Sequence, residues 1–244
     1  MTEIPAGPQP QIGIGVVASF DFNRDRELWR WAPESTSLFL SRTDPAPSWE
    51  GLALVTALNR PEVLTRATRE LRTLQAESFV YLCTACSFIG GIEGEAALRR
   101  AMLDEGAPHA TTTSGAAVAA LHAVGARRIA VAHPYIDAVG ERLRGFLTAS
   151  GFEVVSQLGL GLQPAEIPLV PYDRVAELIR RTDHPDADAL FVSCTGLATY
   201  DLIAPLEREL GKPIVTANQA TVWGALRALG LTAVGPGQRL VEVG

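Results

Sequence analysis

Missing from this 244-residue chain is any apolar stretch approaching the roughly 20 residues that span a bilayer. The opening MTEIPAGPQP has neither the basic segment nor the apolar core of a signal peptide, so a cytoplasmic protein without membrane association is expected. Cysteine is scarce, with three residues and two of them only three apart; that is no secreted disulfide framework, and a reducing compartment is expected to keep them as thiols. Positive charge is also short: 21 basic against 27 acidic residues give a net charge of −6. The basic residues are scattered apart from pairs such as Arg99-Arg100 and Arg127-Arg128, which excludes an electrostatic footprint for nucleic acid. The histidines at 109, 122, 133 and 184 show no clustered ligand spacing, so no metal is expected. Gly13-Ile-Gly15 lacks the third glycine and the acidic residue of a dinucleotide fingerprint, and neither G-x-x-x-x-G-K-[ST] nor G-x-S-x-G occurs. No nucleotide, flavin or other cofactor is called for.

What is present is the composition of a folded globular chain, 47% hydrophobic and 20% charged, with short apolar strands alternating with amphipathic helical stretches. Strands are expected at IGIGVVA (12–18), SLFLS (37–41), FVYLC, PHATT, RIAVAH, FEVVSQL, ALFVSC and PIVTA. Helices are expected between them, over about 61–75, at EAALRRAML, and over 114–124, 137–149, 171–181, 200–210 and 219–229. Such alternation gives parallel strands with crossover helices, an α/β architecture. The continuously apolar FVYLC, RIAVA and ALFVSC fit strands buried on both faces. Gly125, Gly151, Gly211 and Gly230 punctuate helix ends, and Gly90-Gly91 reads as a turn entering a helix.

TTSGAAVAALHAVG (112–125) and ANQATVWGALRALG (217–230) share their endings, and FVYLCT and LFVSCT share theirs. Two related lobes follow, residues 1–113 plus 217–244 forming the first and 114–216 the second, with a cleft between them. No low-complexity linker interrupts the series. A homo-oligomer is compatible with the chain, although no apolar stripe marks one.

In parallel sheets ligands bind beyond the carboxyl ends of the strands, where backbone N–H groups of the following turn face the site. Cys83 and Cys194 both fall there. A thiol so placed can have its pKa lowered toward neutrality and serve as base or nucleophile. The amides at Thr84-Ala85 and Thr195-Gly196 can bind a carboxylate. Cys83-Thr-Ala-Cys86 also has C-x-x-C spacing, but thioredoxin-like flanks and a second ligand pair for zinc are both missing, so Cys86 reads as packing.

LCTACSFIGG (82–91), GARRIAVAHPYIDAVGERLRGFL (125–147) and FVSCTGLATYDLIAPLERELGKPIVTANQA (191–220) resemble the aspartate/glutamate racemase superfamily, in the branch of maleate cis-trans isomerases and arylmalonate decarboxylases. The resemblance implies two pseudo-symmetric lobes, an active site between them, and neither cofactor nor metal. It places Cys194 at the second-lobe cysteine of the whole branch, and Cys83 at the first cysteine of the isomerases and racemases, where the decarboxylases have glycine. It puts Thr84, Ala85 and the Gly196 amide at the carboxylate site, with Tyr135 as a hydrogen-bond donor to it. Two departures bear on the substrate: Asp21 and Pro164 stand where, or near where, maleate isomerases carry asparagine. Asp21 would repel a second substrate carboxylate unless protonated or paired.

The leading expectation is a cofactor-independent, two-cysteine isomerase or racemase of a small carboxylate or dicarboxylate. One thiolate removes an alpha proton while the opposing thiol protonates the other face, or one thiolate adds to a double bond and leaves after rotation. The alternatives are a decarboxylase in which Cys194 protonates the carbanion, and a non-catalytic protein that binds a small acid.

Overall fold

The computed structural model describes residues 10–243; the opening nine residues, read above for a targeting segment, lie outside them. In chain order the elements are β1 (Ile12–Ala18), α1 (Asp25–Leu28), β2 (Thr36–Arg42), α2 (Gly51–Ala57), α3 (Glu62–Thr73), β3 (Ser78–Leu82), α4 (Thr84–Phe88), α5 (Gly91–Asp104), β4 (Ala110–Thr112) and α6 (Thr113–Ala123). There follow β5 (Arg128–Tyr135), α7 (Asp137–Ala149), β6 (Glu153–Leu162), a 3-10 turn (Ile167–Leu169), α8 (Tyr172–Thr182), β7 (Ala189–Val192), α9 (Tyr200–Leu210), β8 (Ile214–Thr216), α10 (Ala217–Arg227) and α11 (Arg239–Glu242). Among the described residues no helix is long and apolar enough to cross a membrane.

The strands form two parallel four-stranded sheets with the same internal order, β2-β1-β3-β4 and β6-β5-β7-β8. Each inner strand is apolar on both faces because helices cover both: Phe79, Val80, Tyr81 and Leu82 are buried, as are Leu190, Phe191 and Val192. The helices show the complementary pattern. In α3, Leu64, Ala67, Thr68 and Leu71 are buried at i, i+3, i+4 and i+7, and the remaining face is largely charged.

The two similar Ala-rich segments occupy equivalent places. Each follows the last strand of its sheet, each is capped by a threonine (Thr112, Thr216), and each ends in a glycine with positive φ, 76° at Gly125 and 68° at Gly230. The two helices pack against one another, joined by the Thr221 hydroxyl donating to Thr113 Oγ1 at 3.0 Å. Helix α10 also packs on β3 and β4 of the first sheet.

Short elements depart from the sequence reading. The charged turn DREL forms α1, GLALVTA forms α2, and the cysteine-containing TACSF forms α4. Each spans seven residues or fewer, too little for a helical period to emerge from sequence. Strand β3 ends at Leu82 and β7 at Val192, so both cysteines lie just beyond their strands. Gly13 and Gly15, the remnant of a nucleotide motif, are packing glycines: a Cβ there would come within 2.4 Å of the Phe39 ring and 2.9 Å of the Phe79 ring respectively.

Candidate active site

One cleft opens over the carboxyl ends of both sheets. From the first half it is lined by the turn after β1 (Ser19, Asp21, Asn23), by Leu54 and Val55 of α2, and by Cys83, Thr84, Ala85 and Cys86. From the second half come Tyr135 at the end of β5, Val139 of α7, Pro164 and Ile167 after β6, and Cys194, Thr195 and Gly196 after β7. All eight residues singled out from sequence, Asp21, Cys83, Thr84, Ala85, Tyr135, Cys194, Thr195 and Gly196, therefore line one space. Asp21 is the only side chain with a formal charge among the described lining residues, and among the described residues no hydrogen bond or ion pair engages its carboxylate.

The first-half cysteine is the N-cap of α4. Its sulfur accepts the Cys86 N–H at 3.3 Å, as a serine or threonine oxygen does at other helix starts. In this first turn the Thr84 and Ala85 N–H groups have no intrahelical acceptor. The Thr84 hydroxyl is buried and, among the described residues, has no hydrogen-bond partner within bonding distance, although it lies on the cleft wall. Behind the turn the Ser87 hydroxyl donates to the carbonyls of Cys83 (2.8 Å) or Thr84 (2.9 Å) and meets Ser114 Oγ at 2.7 Å. Ser87 and Ser114 went unnoticed in the sequence because a buried serine leaves no periodic signature.

One expectation for Cys83 is overturned. It is joined to Cys86 by a disulfide, so Cys86 is not simple packing and Cys83 is not a free thiol. The reason is local: N-cap and N3 residues sit across the first helical turn, here with Cα atoms 5.4 Å apart, within the usual disulfide span.

Cys194 is the free cysteine. No helix follows it until Tyr200, and its backbone has φ of 105°, a conformation costly for any residue with a Cβ. Burial pushes its thiol pKa up to about 11, only partly offset by the Gly196 N–H and the Tyr135 hydroxyl, while the Asp21 charge adds to the rise. The expected lowering toward neutrality does not occur, because desolvation outweighs the donors that would favour a thiolate. Tyr135 is likewise pushed well above its ordinary range, by burial first and by Cys194 next; its hydroxyl lies 3.1 Å from Ser193 Oγ. At neutral pH both groups are proton donors.

The strained turn is gripped from the other half by α1 and its flanks. Arg24 donates to the carbonyls of Gly196 and Pro168. The buried Glu27 accepts the N–H groups of Thr199 (2.5 Å) and Tyr200 (2.7 Å) through one oxygen, and the Asn218 amide (2.9 Å) through the other. Asn218 in turn donates to the Thr195 carbonyl at 3.1 Å. Arg30 forms a two-pronged pair with Asp201 at 2.6 and 2.7 Å, its guanidinium 3.6 Å from the Tyr200 ring centre. Arg24 precedes the short helix, Glu27 lies in it and Arg30 follows it. A charged tetrapeptide gives no such hint in sequence.

A family model described as arylmalonate decarboxylase matches residues 50–241. An arylmalonate decarboxylase of Bordetella bronchiseptica is 34% identical over 186 residues, 74% of this chain and 78% of that protein. A maleate isomerase of Nocardia farcinica is 28% identical over 195 residues, 77% of this chain and 76% of that one. Among solved structures, arylmalonate decarboxylase superposes with a TM-score of 0.80 at 30% identity, covering 96% of this chain and 100% of that one. The N. farcinica maleate cis-trans isomerase bound to TRIS gives 0.83 at 26%, covering 94% and 97%. With sequence matched over most of its length and the two-sheet fold shared throughout, the chain belongs to the arylmalonate decarboxylase family, and its matched relatives are enzymes.

Proposed function

We propose that the protein, with Cys83 reduced, is a cofactor-independent isomerase or racemase that moves a proton at the carbon next to a carboxylate. The observation that carries this reading is that Cys83 and Cys194 follow equivalent strands of the two sheets and line one cleft. The substrate carboxylate takes the first-turn N–H groups of Thr84 and Ala85, the Thr84 hydroxyl and the donors around Tyr135, Thr195 and Gly196. As negative charge builds on that carboxylate in the enediolate, these fixed donors stabilise it. Cys83 as thiolate takes the alpha proton, and Cys194, held as a thiol by burial, gives its own proton to the other face. The return reaction exchanges the roles.

The walls also favour one kind of acid. Leu54, Val55, Val139 and Ile167 give an apolar chamber, whereas a second carboxylate would find no cation among the lining residues and would meet Asp21. A monocarboxylate with an apolar alpha substituent suits this space better than maleate, whose cis-trans isomerisation is the other reaction open to a thiolate adding to a double bond.

A decarboxylase is the second reading, favoured by the protonated Cys194 beside an apolar wall: loss of CO₂ leaves a carbanion that this thiol can quench. Proton NMR in D₂O, with the reduced protein and a panel of alpha-substituted acids, maleate and substituted malonates, separates the cases. Alpha-proton exchange that disappears in Cys83→Gly supports the two-sulfur reading. Loss of CO₂ that survives in Cys83→Gly replaces it with the decarboxylase, and no turnover of any acid leaves a binding protein.

A further inference from the structure

We propose that Cys83 is a site of reversible oxidation, with Cys86 as its resolving thiol, so that a peroxide-class oxidant removes the first-half sulfur from the cleft. The bond between the two residues requires no movement of elements, because the N-cap to N3 geometry that aims Sγ of Cys83 at the Cys86 N–H also brings the second sulfur within bonding reach.

Accessibility assigns the roles. Cys83 keeps 8% exposure at the cleft wall, whereas Cys86 has none, so a small oxidant meets Cys83 first and Cys86 acts from behind it. Hydrogen peroxide converts the Cys83 thiolate to a sulfenic acid with release of hydroxide. The Cys86 thiol then attacks that sulfur, the S–O bond breaks, and the oxygen leaves as water. In sum two thiols and one peroxide give one disulfide and two waters; an added dithiol reverses the change by two successive exchanges.

The pair also protects. A sulfenic acid left unresolved proceeds to sulfinic acid and is lost, and a buried thiol one helical turn away intercepts it. Cys194, the more open of the two cleft cysteines, has no such neighbour and so no partner with which to form a bond of this kind.

The effect on turnover rests on the two-sulfur reading above; the thiol chemistry does not. The test uses the full chain, reduced with dithiothreitol, freed of it, exposed to stoichiometric hydrogen peroxide and quenched with N-ethylmaleimide in denaturant, so that buried thiols are labelled as well. Labelled thiols should fall from three to one, the remaining label on Cys194, with residues 83 and 86 recovered in a cross-linked form that dithiothreitol opens. Turnover by the reduced protein should fall at least about 100-fold on oxidation, the least that removing a positioned acid–base group costs, and return with reductant. In Cys86→Ser, peroxide should leave a sulfenic acid at residue 83 that dimedone traps and that continued exposure makes irreversible.

Retention of all three labels, a cross-link to Cys194, or irreversible oxidation of the unaltered protein as fast as of Cys86→Ser would overturn the proposal. Undiminished turnover by the fully cross-linked protein would instead overturn the two-sulfur reading and leave the oxidation site standing. If instead the labels fall from three to one and return, but the reduced protein turns over no acid, the oxidation site stands and the isomerase reading fails.

Discussion

The two cysteine-threonine strand ends are alike in sequence and unlike in structure. After β3 the chain turns at once into α4, so Cys83 becomes a helix cap and the helix behind it supplies Cys86, Ser87 and, through α6, Ser114 as supports. After β7 the chain enters a loop in which Cys194 has positive φ, and the next two residues, Thr195 and Gly196, are held through their carbonyls by Asn218 and Arg24. One sulfur is thus positioned by its own element and can be chemically masked, while the other is positioned from across the cleft and kept protonated by burial. A duplicated scaffold has yielded two non-equivalent sulfur positions, which is what the proposed reaction requires of its acid and its base.

The contrast can be broken most strongly at Cys194. Replacing it by alanine should lower turnover by a factor on the order of 10³ while circular dichroism stays unchanged. In the unaltered protein, alkylation of Cys194 should keep accelerating with pH well past the ordinary thiol range, up to about 11. Because its folded pKa is raised, the protonated thiol stabilises the fold below the unfolded thiol pKa, and that contribution is lost as pH climbs toward 11.

Glu27 comes next. Glu27→Ala leaves two backbone N–H groups and the Asn218 amide without their acceptor, and urea unfolding should show a loss of roughly 3 kcal/mol. Glu27→Gln keeps one oxygen and should lose less. Both should raise the alkylation rate of Cys194 more than that of reduced Cys83, since they loosen only the turn that α1 holds.

The smallest effect concerns His133, buried beneath the site with its ring stacked on Tyr135 at 5.4 Å and its pKa lowered to about 4, chiefly by burial. A depressed folded pKa means stability that is present above pH 6.5 and lost as pH falls toward 4, at most about 3 kcal/mol from this group. His133→Gln should flatten that part of the pH–stability curve, measured by thermal melts between pH 4 and 7.

The sheets, their parallel order and the eight cleft residues were legible because they rest on periodicity, on continuous apolar runs and on strand-end position, all of which are local in sequence. The Glu27 and Arg24 grip was not, since it joins residues more than 140 positions apart through a helix of four residues. The Cys83–Cys86 bond escaped for a different reason. The spacing was visible, but whether two thiols one turn apart meet depends on whether the first caps the helix, and α4 was too short to be anticipated.

Helix α10 completes the second sheet in chain order, yet lies on β3 and β4 of the first and against α6. Severing the chain between the halves would therefore give two fragments, one with an uncovered apolar sheet and the other with a stranded helix, neither able to build half of the cleft alone. Mixed together, they should recover the native circular dichroism only in company, and a graft of one half onto a foreign partner would have to bring α10 along.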